Sequence, residues 1–277
     1  MDRNKRKPWK KNLYENLDYE DNYTDPSFLQ DLKTNHNLET YTFYEAFAGA
    51  SRLSQQITIV TTFLIVFHYL YTEAVSPQNI LAKASIITII GYFIYTGKNF
   101  RLNNAVEDSK TAMAVLVFGY IFSPLLHTLT DSVSTDTILS TTFVMLALHL
   151  IFFDYGISAA IVSKAISLNT AIFGSICLAS RLSSSFHAFV LLEVAAVYFA
   201  LGPILIARIF SIPLLLATIT VCFYFLFNIS LTIFWIYICV LGFINFCCPF
   251  LFVHLQKHKN NIHGPWDEAI VNDMSCT

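Results

Sequence analysis

A histidine, an aspartate and a tyrosine stand close together in HLIFFDYG, His149–Gly156, at the end of a long apolar run. If that end is a membrane edge, an imidazole, a carboxylate and a phenol there could frame a polar headgroup. The carboxylate would accept hydrogen bonds from hydroxyls. Lys164, with Lys98 and Arg101 from an earlier loop, could add cations for a phosphate. The same residues also serve as a satisfied interfacial histidine and an ordinary helix cap, and both readings stay open. Gly156 lets the backbone turn sharply after Asp154. At the other end of the run, the Ser/Thr/Asp loop Asp131–Asp136 cannot lie unpaired in hydrocarbon. Residues 131–156 therefore read as two opposite membrane edges joined by one helix. Other chemistry is not evident. His254 and His258 are one turn apart with His263 beyond, but no HExxH pattern is present and no metal or cofactor site is expected. The six cysteines form no CxxC pair, and those in apolar runs read as small hydrophobes.

These residues need helices to position them. The chain has 277 residues, 55% hydrophobic and 13% charged, with mean hydropathy +0.54; soluble domains carry about 25% charged residues. Repeated apolar runs of about 20 residues match a hydrocarbon core about 30 Å thick. The expected fold is all-α, a polytopic membrane protein of about eight spans. They are placed at Leu53–Tyr71, Ile80–Thr96, Thr111–Thr130, Thr137–Phe153, Ile157–Leu178, Phe186–Ile206, Ile212–Asn228 and Ser230–Val253. The last two form one apolar run, about twice the membrane thickness at the helical rise, so it is divided at Asn228-Ile229-Ser230. Residues 1–52 are expected to be a cytosolic N-terminal segment and 254–277 a cytosolic tail. In the first, Asp25-Pro26 starts a short amphipathic helix with Phe28, Leu29 and Leu32 on one face. Phe43, Phe47, Ala50 and Leu53 then lead into the membrane at helical spacing. No apolar signal region precedes Arg52, so the first span is expected to act as its own insertion signal.

Orientation follows from basic residues. The eight from Arg3 to Arg52 fall on one side with Lys98, Arg101, Lys110, Arg208, Lys257 and Lys259; Arg181 stands alone on the other. Both termini are therefore expected in the cytosol, with Asp154–Gly156 on the cytosolic face. The acceptor sequence Asn22-Tyr23-Thr24 should then stay unglycosylated. The net charge of −2 suggests no nucleic-acid partner.

Three features suggest packing. Ala159, Ser163, Ser167, Ala171, Ser175 and Ala179 place small side chains at every fourth position, a ridge that lets other helices approach closely. Glu193 lies deep in a span and should face the bundle interior or be protonated. Trp266 follows Gly264-Pro265 and precedes Asp267, a plausible partner-docking anchor; an interfacial tryptophan is the alternative.

Five blocks carry a resemblance: DSVSTDTI at Asp131–Ile138, HLIFFDYG at His149–Gly156, SLN at Ser167–Asn169, CLASRL at Cys177–Leu182 and NIHGPWDEA at Asn261–Ala269. With Trp9, Leu13-Tyr14-Glu15 and Asp21-Asn22-Tyr23, they closely resemble the PIG-C family, one of the subunit families of phosphatidylinositol N-acetylglucosaminyltransferase. The chain departs from it at Leu17-Asp18-Tyr19, where a Gln-Pro pair is expected. The resemblance implies an endoplasmic reticulum complex that begins GPI-anchor synthesis. It transfers N-acetylglucosamine from UDP-GlcNAc to phosphatidylinositol on the cytosolic face. It assigns sugar transfer to PIG-A and implies PIG-H, PIG-P, PIG-Q and PIG-Y as further partners.

The residues themselves fit a non-catalytic chain. Diphosphate cradles use Gly-rich loops at helix N-termini, or acidic residues holding a divalent metal. No GxG occurs, and the nearest imitation of Asp-x-Asp is Asp18-Tyr19-Glu20. The stretch before the first span is shorter than the roughly 100–150 residues usual for a domain. A transporter or channel is the rival reading, but it calls for repeats and paired midplane charges. No internal repeat is visible, and Glu193 has no evident counter-ion.

Overall fold

The computed structural model describes residues 19–20, 23, 33–34, 40–97, 100–128, 132–156, 161–259 and 262–263. Among them are eight helices: α1 Phe43–Tyr71, α2 Pro77–Thr96, α3 Leu102–Thr128, α4 Thr135–Phe152, α5 Lys164–Ala179, α6 Ser185–Ile209, α7 Ile212–Ile229 and α8 Leu231–His258. All but α5 are long and apolar enough to cross a membrane. The protein is an all-α polytopic membrane protein. The expected helix at Asp25–Leu32 lies outside the described residues.

Local chemistry sets the boundaries. Ser134, Ser163 and Ser184 each accept a hydrogen bond from the backbone N–H three residues on, capping α4, α5 and α6. Ser230 is extended (φ −160°, ψ 123°) and divides the last apolar run where expected. Inside the helices, hydroxyls such as Thr61, Thr62 and Ser175 donate to the carbonyl four residues back. That satisfies them where no water is at hand. Wider π turns occupy Ala196–Leu201 in α6 and Phe243–Cys247 in α8. Each ends two residues before a proline, Pro203 or Pro249. Proline lacks an N–H and its ring crowds the carbonyl four residues back, so widening the preceding turn relieves the clash.

The chain divides into two units, residues 1–43 with 250–277, and Tyr44–Pro249. In the first, Lys33–Thr34 pairs antiparallel with Ile262–His263. Gln256 there donates to Tyr41 O at 2.8 Å and accepts from Tyr41 N–H at 2.9 Å.

The helical unit is built on α1. Half of its most apolar stretch is buried, against 11% for that of α2 and 6% for that of α3, so α1 is central and those two are peripheral. One core joins α1, α4, α5 and α6 through Phe63, Leu70, Leu146, Leu178, Leu191 and Phe199. A second joins α1 to α7 and α8 through Ile65, Cys222, Leu226, Tyr237 and Leu241. Phe47 meets Phe246, Ser54 meets Asn245 and Thr58 meets Tyr237. Advancing along α1 thus retreats along α8, and the two are antiparallel. Residues 44–51 and 246–249 therefore share one edge, which requires an even number of crossings. If the seven long helices all cross, α5 is the eighth crossing.

The fifth span differs from the expected Ile157–Leu178. It has 16 residues, about 24 Å of helix, and starts at Lys164. Ser163 is extended (φ −144°, ψ 104°) and caps it, while its N–H donates to Phe152 O at 3.0 Å. Ser163 is thus a cap and not part of the ridge. Ala159 lies outside the described residues. The rest of the series, Ser167, Ala171, Ser175 and Ala179, is buried, with α4 the most extensive neighbour of α5. The first span also begins earlier than expected, because α1 runs unbroken from Phe43.

Candidate functional site: a cationic turn at one membrane edge

The end of α4 and the start of α5 meet at Asp154-Tyr155-Gly156. Asp154 Oδ1 accepts the Gly156 N–H at 2.8 Å, an Asx-type turn. Gly156 has φ +83°, which a side chain would strain. Asp154 Oδ2 lies 3.2 Å from Lys164 Nζ. The Gly156 N–H and then Lys164 hold the Asp154 carboxyl below the usual carboxylate range. The Tyr155 hydroxyl turns back to donate to Leu150 O at 2.7 Å, and burial pushes its phenol upward.

Arg52 of α1 reaches the same turn. Its Nη1–H donates to Tyr155 O at 2.8 Å across 103 residues of sequence. A Cβ on Gly156 would stand 2.6 Å from that nitrogen. Glycine is therefore required twice here, for the backbone conformation and for the approach of the guanidinium.

One turn further in, His149 is 1% exposed. Its Nδ1 lies 2.9 Å from Ser167 O, a carbonyl that can only accept, so Nδ1 carries the hydrogen. Nε2 is then the acceptor for Gln56 Nε2–H at 2.7 Å. The Ser167 hydroxyl donates to His149 O at 3.1 Å, and Phe199 packs edge-on against the imidazole at 5.0 Å. His149 therefore ties α1, α4 and α5 together, with both ring nitrogens occupied.

Further polar side chains of α1 are also engaged inside the bundle. Asn245 Nδ2–H donates to Ser54 Oγ at 2.7 Å. Thr58 already donates to Ser54 O, so Tyr237 OH donates to Thr58 at 2.8 Å. Thr218 bonds Gln55 Oε1 at 3.3 Å.

Of the residues singled out in the sequence, Asp154, Tyr155 and Lys164 come together. His149 lies beneath them and is committed to its neighbours. Arg101 stands just before α3, exposed, on the same edge by the order of crossings. Lys98, Trp266 and Asp267 lie outside the described residues. Glu193 is buried on α6 facing Gly119 of α3 and has no ion-pair partner among the described residues. Arg52 and Gln56 were not anticipated. The available signal was the polar run Ser51, Ser54, Gln55, Gln56 and Thr58 opening an apolar helix, since buried polar groups need partners. Among the described residues no cluster of three or more His, Cys, Asp or Glu could hold a metal.

The family described as phosphatidylinositol N-acetylglucosaminyltransferase matches residues 9–267. The chain belongs to that family. The C subunit of the Homo sapiens phosphatidylinositol N-acetylglucosaminyltransferase is 39% identical over 96% of this chain and 94% of its own length. The putative C subunit of the Dictyostelium discoideum transferase is 38% identical over 96% of this chain and 81% of its own. The GPI2 subunit of the Schizosaccharomyces pombe transferase is 28% identical over 96% and 87% respectively. No solved structure matches the chain. Family membership agrees with the resemblance carried by the five sequence blocks, and the relatives are named as subunits of a transferase.

Proposed function

We infer that this chain is a non-catalytic multipass subunit of the endoplasmic reticulum complex that transfers N-acetylglucosamine from UDP-GlcNAc to phosphatidylinositol. That reaction is the first step of GPI-anchor synthesis. The near-full-length match to proteins named as one subunit of this transferase carries the reading. In it, PIG-A supplies the nucleotide-sugar site, and PIG-H, PIG-P, PIG-Q and PIG-Y are further partners. This chain acts as scaffold and seats the lipid.

The Arg52 edge is the seat. Arg52, Arg101, Lys164 and Arg208 all belong to it, while Arg181 lies at the other edge, and a cation-rich edge favours the cytosolic side. Both termini are then cytosolic. Asp154 accepts hydrogen bonds from ring hydroxyls of the headgroup. His149 acts indirectly, by fixing α4 against α1 and α5. Trp266 and Asp267 in the tail are the docking anchor for a partner subunit.

The test is transfer itself. The purified chain is supplied with labelled UDP-GlcNAc and phosphatidylinositol, with and without PIG-A and the other subunits. Product only in the presence of the partners is expected. Product from this chain alone, above a mock preparation, would overturn the reading.

A further inference from the structure

Arg52 and Lys164 approach one tight turn from two helices, and neither is used up by it. Arg52 gives one guanidinium N–H to Tyr155 O. Its other N–H groups have no partner among the described residues, and the side chain is exposed. Lys164 is 83% exposed, and one carboxylate faces it. That carboxylate is itself held by the Gly156 N–H. Among the described residues, two cations against one anion leave the turn net positive, with several charged donors exposed.

Exposed apolar side chains stand close to the turn in sequence. Ile151 on α4, Ile161 before α5 and Ile166 on its first turn are 52%, 55% and 45% exposed. A ligand suited to both features is amphiphilic, with an anionic head offering at least two acceptor oxygens and a hydrocarbon tail.

We propose that Arg52 and Lys164 bind the phosphodiester of an anionic glycerophospholipid, which lies at the Asp154–Gly156 turn with its acyl chains against these isoleucines. The fork of Arg52 takes two phosphate oxygens, and its bond to Tyr155 O aims it. Lys164 adds a point charge from the other side. The inference deepens the lipid seat proposed above by assigning its phosphate contact to a residue of the first helix. The lipid's role as acceptor rests on that reading, whereas the binding does not.

The experiment measures binding and not transfer. The full chain is exchanged into mixed micelles containing phosphatidylinositol or phosphatidylcholine, and retained lipid is counted by native mass spectrometry. Preferential retention of phosphatidylinositol is expected. Arg52→Gln should weaken it about tenfold, the scale of one charged hydrogen-bonded contact. Arg52→Lys should fall between the two, because the charge remains and the fork is lost. Lys164→Gln should cost a few-fold. Unchanged retention in Arg52→Gln and Lys164→Gln would overturn the proposal. Thermal unfolding checks that the variants are folded. Should Arg52→Gln fail to fold, unchanged retention in Arg52→Lys and Lys164→Gln overturns it equally. Inorganic phosphate is the competitor. Displacement of the lipid at comparable concentration would show a site for free phosphate and sink the lipid assignment; resistance supports it. Failure of transfer by the assembled complex with lipid retention intact would count against the proposed function alone.

Discussion

The turns at the two ends of α5 handle polar groups differently. At the far end, side chains close the loop Ser180–Ser184 onto its neighbours. His127 Nε2–H donates to Leu182 O at 2.8 Å, Ser123 donates to Ser185 O, and Ser184 caps α6 with His187 Nδ1 2.7 Å from its hydroxyl. Arg181 is likewise engaged. At the near end, Asp154 and Tyr155 shape the turn, but Arg52 and Lys164 keep charged donors exposed to the outside. The far turn is a closed structural loop, whereas the near one leaves an open, positively charged surface, which is where a ligand can be held.

The largest expected effect is on the support beneath the near turn. His149→Ala removes partners of Gln56 and Ser167 and leaves a gap beside Phe199. It should cost about 3 kcal/mol in reversible unfolding from detergent. A variant as stable as the parent would mean that the near turn stands without this support. Ser167→Leu adds bulk to a buried position on α5 facing α4 and should cost about 2 kcal/mol. Yield of the assembled complex should fall with it, and unchanged yield would show that α5 tolerates separation from α4.

Much of this was legible because apolar runs, charges and breaks are local. The runs and breaks placed the helices and the division near Ser230, and the charges separated the two edges. The start of α5 was misplaced because Ile161 and Val162 are as apolar as a span, while the boundary is decided by the Ser163 cap and its bond to Phe152 O. The role of His149 stayed open because its partners, Gln56 and Ser167, lie on other helices. Arg52 escaped for the same reason, since the residue it serves is 103 positions away.

Smaller effects sharpen the contrast. His127→Ala should cost about 1 kcal/mol by freeing Leu182 O and leave phospholipid retention unchanged, because the far turn is structural. Reduced retention would erase the distinction between the two turns. Asp154→Asn should cost under about 1 kcal/mol, the usual range for an exposed ion pair, and should lower transfer without disturbing assembly. Loss of both together would reduce Asp154 to a turn former. The carboxyl is held below its ordinary value by the fold. Its contribution is therefore complete above the unfolded value of about 3.9 and lost as pH falls through the lower folded value. An acid titration of unfolding should show this loss in the parent and not in Asp154→Asn.

The most direct measurement asks which way the two turns face. Lys164→Cys and Ser183→Cys are placed singly in a chain without its native cysteines and treated with a membrane-impermeant maleimide in sealed endoplasmic reticulum vesicles. A lipid seat on the cytosolic edge predicts that Lys164→Cys is labelled from outside and Ser183→Cys only after permeabilisation. Labelling of Ser183→Cys from outside, with Lys164→Cys protected until the vesicles are opened, would contradict it.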